Sequence, residues 1–63
     1  MEEKLQEMIK ELNNVLAEEN IQLDYDEYED YLFDNVDSDD LLEIKKYNLV
    51  TLGWEDYVNL MTS

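Results

Sequence analysis

The 63-residue chain contains no cysteine, histidine, proline or arginine, and only one glycine. Without Cys or His, thiolate and imidazole metal sites are excluded, as are Cys/His nucleophilic catalysis and a disulfide framework. Positive charge is nearly as scarce: four Lys stand against 18 Asp and Glu, a formal net charge of −14. Lacking the Arg fork and having few ammonium groups, the chain has too few of the donors that grip phosphate, and direct binding to nucleic acid is not expected. No apolar run approaches the ~18 residues of a membrane span, and the acidic start MEEKLQEM is unlike a signal or transit peptide. A cytoplasmic protein is the expectation. The length allows one domain, which buries only about 60% of its unfolded surface and leaves little interior for an enclosed pocket. Neither an enzyme nor a bound cofactor is expected.

High net charge with few aromatics is the usual signature of disorder. Here Leu, Ile, Val and Phe supply 18 of the 63 residues, with five Tyr and one Trp besides, which lies above the floor of about 20% below which folding is doubtful. A folded, marginal domain follows, with repulsion among its carboxylates lowering stability at low salt.

The charge is regional. Residues 1–20 carry six acids and two Lys, residues 21–43 ten acids and no base, and residues 44–63 two of each. No linker or internal repeat interrupts the chain, although 24–40 is strongly biased toward Asp, Glu and Tyr.

Leu5, Met8, Ile9, Leu12, Val15 and Leu16 follow the i, i+3, i+4, i+7 spacing of an amphipathic helix, predicted from about residue 2 to 18. Its far side carries Glu3, Glu7 and Glu11 in one row, about 6 Å apart at the helical rise. Such like-charged neighbours repel by ~0.2–0.5 kcal/mol per pair. Asn20 reads as its C-terminal cap. Residues 21–25 alternate apolar and polar, as a short extended link would. Asp24 then caps a second helix through about residue 35, Glu27 completing a capping-box pattern. Tyr25, Tyr28, Leu32 and Val36 share its inner face, flanked by Tyr31. Asp26, Asp30 and Asp34 form the opposite row, with Glu27 and Glu29 beside it. Asp37 or Ser38 opens a third helix with Asp39 and Asp40 in its first turn and Lys45 and Lys46 in its last, matching the helix dipole. Leu41, Ile44 and Tyr47 are its inner residues, and Asn48 terminates it. The stretch 49–52 fits a buried connector, a strand or a helix. A last helix opens at Thr51 or Gly53 with Trp54, Tyr57, Val58 and Met61 on one face. The expected fold is all-α, a single bundle of three to four short helices over 1–63.

A solvated surface normally interleaves Lys and Arg with its acids, whereas 21–43 has none. The nine acids between Asp24 and Asp40 span about 25 Å if mostly helical, roughly one charge per 3 Å. Duplex DNA carries one per ~1.7 Å and a single strand one per ~3.4 Å, so the segment has the linear charge density of a nucleic-acid backbone. Its carboxylates offer the planar acceptors that Arg and Lys recognise in phosphate. A calcium loop fits poorly: Asp34, Asp37, Asp39, Asp40 and Glu43 are oxygen ligands close together, but no register supplies the Gly of an EF-hand, and Leu41 falls where a ligand is wanted. A glycosidase carboxylate pair needs a cleft that this size does not offer. Tyr31 and Phe33, near the acidic boundary, are candidate interface anchors, whereas Tyr25 and Tyr28 are assigned to the core or its rim and Trp54 to the core.

Through Glu3, Glu7, Glu11, Asp24, Asp26, Glu27, Glu29, Asp30, Asp34, Asp37, Asp39 and Asp40, over its first two-thirds, the chain resembles the small acidic DNA-mimic inhibitors of phages and mobile elements. These include anti-CRISPR and anti-restriction proteins and inhibitors of uracil-DNA glycosylase or histone-like proteins, and they share charge rather than a motif. The resemblance implies occupation of a basic DNA channel in a host enzyme through those twelve acids, with no catalytic residue; Tyr31 and Phe33, from their position, join them in the expected contact set. The rival expectation comes from the acid-apolar interleaving of 29–44: an adaptor that docks the helix of about 25–36 in a hydrophobic groove.

Overall fold

The computed structural model describes residues 2–62, and every regular element among them is a helix: α1 (Glu2–Glu18), α2 (Tyr25–Asp34), α3 (Ser38–Lys46) and α4 (Leu49–Thr62). The all-α expectation holds, with four helices. None among the described residues is long and apolar enough to cross a membrane.

The helix ends follow their local chemistry. Asn20 lies in the left-handed region at φ 55°. Its N–H donates to Ala17 O and the Ile21 N–H donates to Leu16 O, the paired bonds of a Schellman stop. Asn48 has the same φ and ends the turn after α3. The predicted capping box is present at α2: Glu27 N–H donates to Asp24 Oδ1 at 2.8 Å and Asp24 N–H to Glu27 Oε1 at 3.0 Å. Asp37 is the N-cap of α3 by position, but its side chain makes no capping bond.

The core consists of Leu5, Ile9 and Leu16 from α1, Tyr28 and Leu32 from α2, Ile44 from α3, and Leu49, Val50 and Tyr57 from α4. Three expectations change, for Val15, Tyr47 and the start of α4. Val15 is 44% exposed, because the buried arc of α1 runs through Leu5, Ile9, Asn13 and Leu16 and is rotated toward Asn13. Tyr25, expected in the core or at its rim, lies at the rim, where its ring meets Trp54 edge-on. Tyr47 is exposed as the C-cap of α3, its ring under Lys46 Nζ. Finally, α4 starts at Leu49, ahead of Thr51 and Gly53: the left-handed Asn48 turns the chain so that Leu49 and Val50 enter the core at once. Gly53 therefore lies inside the helix.

Its role there is close approach. A Cβ at Gly53 would sit 2.5 Å from Tyr28 Oη and 2.8 Å from Ile9 Cγ2. The phenol that needs this space belongs to a buried network: Tyr28 Oη donates to Asn13 Oδ1 at 2.7 Å, and Asn13 Nδ2 donates to Gly53 O at 3.0 Å and Asp56 Oδ2 at 3.3 Å. Asn13 is fully buried, and every buried side-chain polar atom among the described residues has a partner. One amide thus ties α1 to α2 and α4.

Two outcomes follow from this junction. Alanine favours a helix over glycine by about 1 kcal/mol, but overpacking a core costs about 1–3 kcal/mol, so Gly53→Ala should lower the urea midpoint. Burial, reinforced by the charge of Asp56, pushes the Tyr28 phenol well above its ordinary value near 10. The folded state then holds the proton more tightly than the unfolded chain. That contribution is complete below about pH 10 and is lost as pH rises from there toward the folded value. Tyr28→Phe orphans Asn13 Oδ1, a cost of about 1–3 kcal/mol at neutral pH, and lacks the titrating group. The stability gap between wild type and variant should therefore narrow above about pH 10, which urea unfolding across that range will show.

Candidate acidic interface

Of the twelve acids predicted to form the contact set, ten are exposed: Glu3, Glu7, Glu11, Asp24, Asp26, Glu27, Asp30, Asp34, Asp37 and Asp39. Glu29 and Asp40 are half-buried. Helical spacing explains the pattern on α1 and α2. Residues 3, 7 and 11 lie opposite the arc of Leu5, Ile9 and Leu16, and residues 26, 30 and 34 lie opposite Tyr28 and Leu32.

The structure assembles part of this set across helices. Glu7 and Glu11 of α1 and Asp40 of α3 line one shallow open groove, floored by Leu5 and Met8 and bordered by Lys4. On another side of α1, α2 arrives through the Tyr28–Asn13 bond. Met8 and Asn13 point about 140° apart around the helix. The sector between them holds the buried Leu5, Ile9 and Leu16, and the strip bearing Glu3, Glu7 and Glu11 occupies the wider arc on the far side of the helix. The row of Asp26, Asp30 and Asp34 does not line the α1–α3 groove. Among the described residues no three acids converge to hold a metal ion.

Four of the acids also have local work. Asp24 and Glu27 are engaged in the α2 capping box, and Asp39 and Asp40 occupy the first turn of α3, where the helix dipole favours them. The aromatic members of the predicted set are less available. Tyr31 and Phe33 are half-buried and packed against the core, and Lys45 Nζ lies 5.5 Å from the centre of the Phe33 ring.

Sequence reasoning passed over Asn13 and the hydroxyl of Tyr57, which order the scaffold behind this surface. Tyr57 Oη donates to Ile21 O at 2.6 Å and accepts from Leu23 N–H at 2.9 Å, pinning the α1–α2 link onto α4. Asn13 had a visible signal, since it falls four residues after Ile9 and three before Leu16, inside the apolar stripe. Tyr57 had none, because its partners are backbone groups more than thirty residues away.

No protein-family profile, curated protein or solved structure matches the chain.

The charge crowding on α1 is measurable. Glu11 faces Glu7 one turn away and Asp40 across the groove, so Glu11→Gln should raise the melting temperature in a buffer of about 20 mM salt. The gain should fade as added salt shortens the screening length toward ~3 Å at 1 M.

Proposed function

We propose that the protein is a non-enzymatic inhibitor that acts as a DNA mimic, its acidic face occupying the basic nucleic-acid groove of another protein. The observation that carries this reading is the exposure of ten of the twelve acids on helical scaffolding, in a chain whose segment 21–43 has no base to neutralise them. Presentation on folded helices matters, because such carboxylates meet a preformed Lys/Arg groove with a smaller ordering penalty than those of a disordered tail. The molecule is 30 Å in its longest dimension, the length of about nine base pairs at ~3.4 Å each. The partner would be a CRISPR effector, a restriction or repair enzyme, or a DNA-binding protein, met in the cytoplasm. Inhibition would be by competition, needing no cofactor and no catalytic residue.

The complete burial of Tyr28 and Leu32 favours this reading over an adaptor that docks the apolar face of α2. That face is packed into the protein's own core, so docking it in a partner's groove would first require α2 to leave α1 and α4. An electrostatic mimic needs no such rearrangement.

Complementary charge accelerates encounter and makes affinity fall with salt. The test uses a panel of immobilised DNA-binding enzymes, with binding measured at two salt concentrations and competition by duplex DNA. Binding to a member of the panel should be displaced by DNA and weakened by salt. Replacing Asp26, Asp30 and Asp34 with Asn should weaken it at least tenfold at low salt and flatten the salt dependence. Unchanged affinity in a folded triple variant, or binding indifferent to DNA, would overturn the proposal.

A further inference from the structure

The four helices are not held equally. Helix α1 meets α4 along Leu5, Ile9, Asn13 and Leu16 against Leu49, Val50, Gly53 and Tyr57, an interface of buried side chains on two long helices. Helix α2 has ten residues, of which only Tyr28 and Leu32 are buried. Ten residues are too few for an isolated helix to persist in water. Its neighbouring segments, 21–24 and 35–37, are irregular.

Besides those two buried side chains and the ring contacts with Trp54, α2 and its leading link are tied to the rest by a set of tyrosine hydroxyls. Tyr28 bonds to Asn13 of α1. Tyr57 of α4 grips the backbone of Ile21 and Leu23 immediately before α2. At the first residue of α2, Tyr25 Oη lies 3.3 Å from Thr51 Oγ1 of α4. Against these pins acts the helix's own charge: Asp26, Glu27, Glu29, Asp30 and Asp34 stand among its ten residues with no base, and the segment continues into Asp37, Asp39 and Asp40. Crowded like charges favour separation, and the preference grows as salt is removed. A segment with a small buried face, irregular ends and an internal load is the kind that opens as a unit below the free energy of global unfolding.

We propose that residues 21–34 form a separately opening arm, latched to the α1–α4 pair by tyrosine hydroxyls and driven outward by its own carboxylates. Ionic strength sets how often the latch is open. Cationic neutralisation of the arm, by salt or by a basic surface, closes it. This device does not depend on the identity or existence of a DNA-binding partner.

Native-state hydrogen exchange on the isolated protein tests it at about 20 mM and about 300 mM salt. In the wild type, the α2 amides should exchange through a smaller opening than the core amides of α1 and α4. Added salt should protect α2 by a larger factor than it protects those helices. Tyr57→Phe keeps the ring but releases the link, and should raise exchange across 21–34 about tenfold, the equivalent of ~1.4 kcal/mol, with a smaller change in α1 and α4. Tyr25→Phe, at an exposed position, offers the same comparison with less risk to the fold. Replacing Asp26, Asp30 and Asp34 with Asn should reduce the extra salt response of α2. If the amides of α1, α2 and α4 report one common opening that shifts equally with salt and with both Tyr variants, the arm does not exist as a separate unit. A wild-type α2 that opens locally with no excess salt response would overturn the charge-driven part.

Discussion

The Asn13 amide is the point on which the packing depends. An amide taken out of water without partners costs about 1–3 kcal/mol, a large share of the stability of a domain this small. Its three bonds, to Tyr28, Gly53 and Asp56, therefore restrict where α2 and α4 can sit relative to α1. An all-apolar stripe on α1 would have tolerated sliding or rotation of its neighbours, since apolar contact is non-directional. With the amide in place, α4 must present a glycine where Tyr28 passes, and Tyr28 must reach in from α2. The single glycine of the chain is thus a requirement of the polar junction rather than a helix start.

Helix periodicity and end chemistry were legible in the sequence because both are local. The capping box at Asp24 and Glu27, the stops at Asn20 and Asn48, and the lysines closing α3 each depend on residues within a turn or two. Errors occur where distant groups decide. Val15 fits the stripe by spacing, but the burial of Asn13 rotates α1 away from it. The start of α4 was ambiguous because Leu49, Val50 and Leu52 suit several conformations, and the choice is made by the turn at Asn48 and the core that Leu49 enters. The exposure of the acidic rows was equally legible, since it is the complement of the apolar stripes. Which rows adjoin which was not. The shared groove of Glu7, Glu11 and Asp40 exists only once α3 has packed beside α1.

The architecture separates two tasks along the chain. Helix α4 supplies much of the interior and has only Glu55 and Asp56 as charged residues, one of them drawn into the buried network. Helices α1 and α2 carry the outward acids, and each uses a narrow apolar face to hold them in place. The strain of crowding so many carboxylates is offset at a scaffold that is itself nearly neutral. That division lets surface charge be altered on α1 and α2 with little direct effect on the α4 core.

Trp54 lies where it can report on this division. Its indole is within 5.6 Å, ring centre to ring centre, of Tyr25, Tyr28 and Tyr57, two of them on α2 and one on its own helix. Light absorbed by those phenols passes readily to the indole at such separations. The ultraviolet emission of the molecule thus carries a built-in measure of whether α2 is seated against α4, with no dye or label required.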